Sequence, residues 1–312
     1  MTPVAAAGDE HRPVMPEEQV LQLARACSNQ GRWGPDDELG TLNFIEPATR
    51  LAALATVRIG RPVSIGQDLD TVRSPANPVP VVHRMLYAAH DGANAAFDVV
   101  EIAAHGLAVT HLDAVAHMFA EGRIYNGRTA DSTVTPAGLA FGSIHAQRDG
   151  ILTRGVLLDV PVSQGLPWLE PTARIYPGDL DRAEALGQVT VRRGDAVFVR
   201  TGVTARVRAT GPEDPSRRAG LMPECTGWFH QREVALFSGD CYDHVPLPYT
   251  RLPAPFHQIA LACMGMPFLD ATDLETLSAA CAELGRYEFL LTVAPLRIRG
   301  GTGSAVNPIC YF

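Results

Sequence analysis

The stretch from His105 to Asn126, H-G-L-A-V-T-H-L-D-A-V-A-H-M-F-A-E-G-R-I-Y-N, constrains this chain more than any other. Of the ten histidines, His105, His111 and His117 fall here, with Asp113 between the last two. Their neighbours are small or apolar: Gly106, Leu107, Ala108, Val109, Ala114, Val115 and Ala116. A surface loop would carry Ser, Glu and other solvated groups at those positions. The pattern implies ionisable groups on a buried scaffold, which is costly unless they find partners or a ligand.

In an extended segment, residues two apart point to one face. His111 and Asp113 of H-L-D can therefore aim at one point, and an imidazole with a carboxylate is an ordinary pair of ligands for zinc or manganese. By itself H-x-D fits better a His–Asp hydrogen bond that holds a core, since two ligands do not make a site. His117 adds to the signal: with a helix starting near Asp113, residues 113 and 117 share a face, which makes His117 a further ligand or a general base. His105 is a weaker candidate. From elsewhere, His257 and Asp270, on either side of an apolar helix, are the best complements. Asp240, Asp243 and His244 of S-G-D-C-Y-D-H come next, although an acid that ends a strand often caps the following turn.

Composition removes several classes. No lysine occurs, so Schiff-base, pyridoxal-phosphate and P-loop lysine chemistry are out. The net charge of −8, with no basic block, argues against nucleic acid. No apolar run approaches the length of a membrane helix, and M-T-P-V-A-A-A-G-D-E is not a secretory leader. The six cysteines are scattered without a C-x-x-C pair, which fits buried thiols and a cytoplasmic setting. G-G-T-G-S near the end has no helix after it and is not a dinucleotide fingerprint. There is no G-x-S-x-G elbow.

Along the chain, residues 1–15 read as a flexible tail and residues 16–312 as one domain. Helices are expected over 16–27, from Pro47 to Gly60, over 177–187, from His257 to Met266 and over 273–284. Strands are expected at 61–66, 98–105, 150–160, 195–202, 233–240 and 287–296. The last Gly-rich stretch reads as a tight loop, and 209–220 as a loop that could act as a lid. Intermixed strands and helices, with several strands apolar on both faces, imply an α/β fold: a mixed, barrel-like sheet with flanking helices.

T-H-L-D-A-V-A-H resembles the core motif of the cyclase-like metal hydrolases, which include bacterial kynurenine formamidase and isatin hydrolase. The resemblance continues through R-W-G-P-D-D-E-L-G-T-L-N (32–43), Y-N-G (125–127), R-G-V-L-L-D-V (154–160), G-D-A-V-F-V-R-T-G (194–202), A-G-L-M-P-E-C (219–225), H-Q-I-A-L-A-C-M-G-M-P-F-L-D (257–270) and the final G-G-T-G-S-A-V-N-P. The long N-terminal block is similar to the larger branch of cyclase family proteins. The family pattern is H-x-x-x-H-x-D-x-x-x-H, then a distant His and, about a dozen residues on, a Glu. Carried over, His111, Asp113 and His257 match metal positions, and His117 matches the general acid/base. Asp270 stands at or beside the Glu position, one methylene shorter. The first metal histidine is replaced by Leu107, which cannot ligate, and His105 lies two residues earlier.

The resemblance implies a metal-dependent hydrolase cleaving a C–N bond, amide or lactam, of a small cyclic or aromatic substrate. It implies a divalent cofactor, zinc or manganese, one ion rather than two, with a metal-free site as the extreme. By composition Trp33 and Phe44 read as core; the resemblance implies instead that they wall an aromatic substrate, and that the chain forms a homodimer or homotetramer. Leu107 motivates the alternative, a metal-poor cyclase, dehydratase or lyase using the same pocket; a binding protein without catalysis is the third class.

Overall fold

The computed structural model describes residues 13–87 and 94–312. Its centre is a curled nine-stranded sheet flanked by helices. The strands are β1 (Pro62–Ser64), β2 (His111–Asp113), β3 (Ile151–Asp159), β4 (Ala196–Arg200), β5 (Leu236–Gly239), β6 (Phe268–Asp270), β7 (Glu288–Val293), β8 (Gly303–Ala305) and β9 (Ile309–Tyr311). Their order is β1-β9-β7-β3-β4-β5-β6-β2-β8. The four central strands, β3 to β6, are parallel and follow chain order, and every other pairing is antiparallel. Parallel neighbours need covered crossovers, so both faces of the centre are buried.

Alternation divides the central strands between two cores. Leu157, Phe198, Leu236, Leu269 and Leu112 face one apolar cluster. Val156, Leu158, Val197, Val199, Phe237 and Phe268 face the other. The second cluster includes Phe256, Ile259, Ala260 and Leu261 from the crossover between β5 and β6. That crossover is a single α-helical turn, Pro255–Gln258, running into a π-helical segment, Ile259–Met264. A π segment shifts the register of everything before it, a device common at functional sites.

Several expectations are corrected. The helix from Pro47 stops at Leu54, not Gly60, because the N–H groups of Ile59 and Gly60 are taken by the carbonyl of Phe312. The strand expected over 98–105 covers only Phe97–Glu101, and it pairs with Val82–Tyr87 in a ribbon outside the main sheet. The lid-like loop is preceded by a helix, Val203–Thr210. The Gly-rich end is not merely a loop: it supplies β8, which lies beside β2. The tail expected over 1–15 lies, for residues 1–12, outside the described residues.

Candidate active site

β2 carries the first two groups. It is held on both sides, with His111 opposite Asp270 of β6 and Ala305 of β8, and Asp113 opposite Gly303. Leu112 points into the first core, so His111 and Asp113 point to the other face. Residues directly opposite in an antiparallel pair share a face; the register therefore puts Asp270 on the face of His111. His257 descends onto that face from the helical layer. Its ring packs on Phe268, 4.5 Å between centroids, and edge-on against Tyr242 at 4.8 Å.

The groups converge on Asp113, which is fully buried. Its Oδ1 lies 3.0 Å from His105 Nδ1 and 3.4 Å from His111 Nε2, and its Oδ2 lies 3.3 Å from His257 Nε2. Asp270 Oδ2 is 3.9 Å from His257 Nε2. His111 Nδ1–H donates to the Val109 carbonyl at 2.8 Å, which leaves Nε2 unprotonated and aimed inward. His105 Nε2 meets Thr302 Oγ1 at 2.9 Å, which turns Nδ1 toward Asp113. That approach is off the hydrogen-bond axis, and His105 Nδ1, Asp113 Oδ1 and Asp270 Oδ1 are all buried without a hydrogen-bond partner.

His117 reaches the cluster by a turn, not by the expected helix: its N–H donates to the Ala114 carbonyl at 2.9 Å. Its ring stacks on that of His105, 3.8 Å between centroids and 3° from parallel. Two triads bring ligand atoms within 4.8 Å of one another, His105–His111–Asp113 and Asp113–His117–His257.

The charges follow from this crowding. Burial alone would raise the Asp113 carboxyl; the surrounding His105, His117, His257 and His111 outweigh it and hold it well below the usual carboxylate range. Burial lowers His111, and it lowers His117 to about 4. Burial also opposes charge on His257, but Asp113, Asp270 and Asp243 together raise it. Asp270 is pushed up to about 8, by burial first and then by Asp113 and Asp243.

The remaining candidates have other tasks. Asp243 accepts the N–H groups of Phe256 at 2.7 Å and His257 at 3.1 Å, so it caps the turn that places His257. Asp240 accepts from Thr201 and Gly202. His244 Nδ1 meets the Ala173 carbonyl at 3.1 Å. Trp33 and Phe44, expected to wall a substrate, pack edge-on against each other at 5.1 Å in the first core.

Neither of the two lines the cavity beside the cluster, which measures about 470 Å³. Leu107, Tyr242 and Ala271 line it, and they join it to the site: Tyr242 touches His257, and Ala271 follows Asp270. Leu107 is thus part of the wall.

Sequence reasoning missed Gly303. A Cβ there would stand 2.7 Å from His105 Cε1 and 3.0 Å from the Leu112 carbonyl oxygen. The absent side chain opposite Asp113 is the space His105 occupies. The signal was in G-G-T-G-S, which carries no hint of its partner strand.

The sequence matches the family described as "Putative cyclase" over residues 47–244. The chain belongs to this cyclase family. A solved structure of a novel cyclase is 28% identical, with a TM-score of 0.79, over 91% of this chain and 99% of its own. Isatin hydrolase A from Labrenzia aggregata, bound to benzyl benzoate, superposes with a TM-score of 0.58 at 18% identity, over 83% of this chain and 96% of its own. Isatin hydrolase A from Ralstonia solanacearum gives 0.56 at 19%, over 83% and 94%. These two share the fold with this cyclase. No curated protein matches the sequence. Among the described residues, no helix is long and apolar enough to cross a membrane.

Proposed function

We propose that this cyclase family member is a metal-dependent hydrolase of a C–N bond, an amide or lactam, in a small cyclic or aromatic substrate. One observation carries the reading: three imidazole nitrogens surround one buried carboxylate, and three of the buried polar atoms there lack hydrogen-bond partners. Such a set is unfavourable by itself and suited to a divalent cation, and nitrogen with carboxylate oxygen favours zinc or manganese. His105, His111, Asp113 and His257 would hold the ion, with Asp270 beside them. When bound, such an ion polarises a carbonyl oxygen and acidifies a water molecule.

The chain's own groups do the rest. His111 is fixed in one tautomer by Val109. His257 is fixed by the Asp243 cap at its backbone and by Phe268 and Tyr242 at its ring. His117, half-buried, takes a proton from the attacking water and returns it to the leaving nitrogen. Leu107, Val203 and Val207 give the cavity an apolar wall that excludes bulk water. Leu107 motivates the metal-free cyclase, dehydratase or lyase; the imidazole of His105, 3.0 Å from Asp113, supports the metal-bound reading instead.

The test is a panel of aromatic amides, lactams and esters, offered to protein loaded with zinc or manganese and to chelator-treated protein. Hydrolysis that disappears with the metal and returns on reloading is expected. Full activity in chelator, or none on any member with metal bound, overturns the reading.

A further inference from the structure

Three arginines are buried among the described residues: Arg154 at 8% exposure, Arg200 at 4% and Arg218 at 9%. The first two are saturated. Arg154 pairs with Asp195 and Glu288, and Arg200 with Asp159 and Glu275. Arg218 has no hydrogen bond or ion pair from its guanidinium to any described residue. Its guanidinium lies near the Tyr242 ring, 5.8 Å from Cζ to the centroid. An arginine stays charged under any ordinary condition, and a buried charge without a partner is costly. The other two show how this fold neutralises a buried arginine.

Arg218 lines the 470 Å³ cavity beside the histidine cluster. Its backbone is fixed there: its N–H donates to the Val245 carbonyl at 2.9 Å and its carbonyl accepts from Val245 at 3.0 Å. The acids of the same cavity make their direct pairs elsewhere, although the Glu213 carboxylate also feels the charge of Arg218 at longer range. Glu213 meets Arg206 at 3.4 Å, and Asp240 is held by Thr201 and Gly202. Tyr242 links the two ends of the cavity, with Arg218 above its ring and His257 at its edge. One aromatic ring therefore separates a guanidinium without a direct hydrogen-bonding partner from the histidine cluster.

We propose that Arg218 is the specificity-determining residue of this cavity, and that the substrate is a small acid with an apolar body whose carboxylate pairs with Arg218 while its scissile bond lies at the histidines. The second half rests on the hydrolase reading above; the anion site does not. A single guanidinium matches a monoanion, and its planar fork suits a carboxylate in two parallel hydrogen bonds. The volume suits a one- or two-ring compound.

The test compares benzoate with benzamide, its neutral counterpart, by calorimetry on the metal-loaded full chain. Wild type is expected to prefer benzoate by about 30-fold, and R218M to lose that preference while binding benzamide unchanged. R218K is expected to keep part of it. Should R218M fail to fold, R218Q removes the charge while retaining hydrogen-bonding groups. Preference retained without the charge would place the carboxylate at the metal cluster and overturn the proposal, as would no preference in wild type. A chain that shows the Arg218-dependent preference but hydrolyses nothing keeps the anion site and loses the hydrolase reading. One that hydrolyses neutral amides and binds benzoate no better than benzamide does the reverse.

Discussion

Replacing Asp270 by asparagine should stabilise the metal-free protein. Asp270 is 2% exposed, its Oδ1 has no hydrogen-bond partner, and Asp113 and Asp243 add negative charge nearby. Its carboxyl is pushed to about 8 from an ordinary 3.8. An acid with a raised folded pKa holds its proton while the unfolded chain has lost it. Its contribution is therefore neutral below the unfolded value and increasingly unfavourable as pH rises from there to the folded value, at about 1.4 kcal/mol per pH unit. The penalty is on the order of 4 kcal/mol at pH 7 and less than half of that at pH 5. Asparagine keeps the shape and has no proton to lose, so D270N removes the penalty.

For a chain of this size, 4 kcal/mol corresponds to about 6 °C in Tm. Circular-dichroism melting of chelator-treated wild type and D270N at pH 5 and pH 7 reads it directly. The variant should melt about 6 °C higher at pH 7, and the gap should shrink to about 2 °C at pH 5. Zinc or manganese affinity should fall at least tenfold in D270N, because a negative oxygen beside the ion is lost. A variant less stable than wild type at pH 7, or a gap of equal size at both pH values, refutes the reasoning: Asp270 would then be ionised and paired in the folded state.

Three further outcomes concern the cluster. His117→Ala should lower kcat by about 10²–10⁴-fold while metal content, read by elemental analysis, stays at the wild-type level; loss of the metal instead would make His117 a ligand and not the proton carrier. Gly303→Ala should drive the His105 ring away from Asp113 and weaken metal binding by about 10–100-fold, with a smaller effect on melting; unchanged metal affinity would show that His105 does not hold the ion. His105→Ala should release metal at least as readily as G303A, and the two changes combined should cost no more than the larger of them. Additive losses would mean that Gly303 acts on something other than His105.

What the sequence made legible was local. His111 and Asp113 are two apart on a strand, so their shared face follows from backbone geometry alone. The apolar strands at 151–159, 196–200 and 288–293 announce burial on both faces, and the α/β architecture with them. His257 and Asp270 stood out as polar groups on either side of an apolar helix, and the resemblance tied them to the metal positions, since nothing in their own spacing points to a strand more than 140 residues away. The register explains Asp270 afterwards: it stands directly opposite His111. Strand pairing between β2 and β8 has no local signature, so the role of Gly303 was closed to any reading of G-G-T-G-S by itself. Trp33 and Phe44 read as core by composition and as a substrate wall by resemblance, because an aromatic pair beside turn residues looks the same in sequence in either place; they pack in the first core. Arg218 had no signal at all, because a missing partner is a property of the folded neighbourhood.

At Leu107 the chain departs from the family spacing pattern, while the His105 imidazole stands 3.0 Å from Asp113. A metal site asks for nitrogen and oxygen at a point in space, and strand spacing is one way to deliver them. Here the segment after Glu101 leaves its ribbon and runs irregularly to Thr110, with Gly106 at φ +123°. Freed from strand alternation, His105 is delivered from two residues further back. Thr302 orients its ring from one side, and the missing side chain of Gly303 leaves it room. Leu107 is then released to line the cavity that Arg218 also lines. On the proposed reading, His105 offers the imidazole and Leu107 adds apolar surface to the cavity. If His105 holds the ion, the departure changes the lining of the cavity while keeping an imidazole beside Asp113.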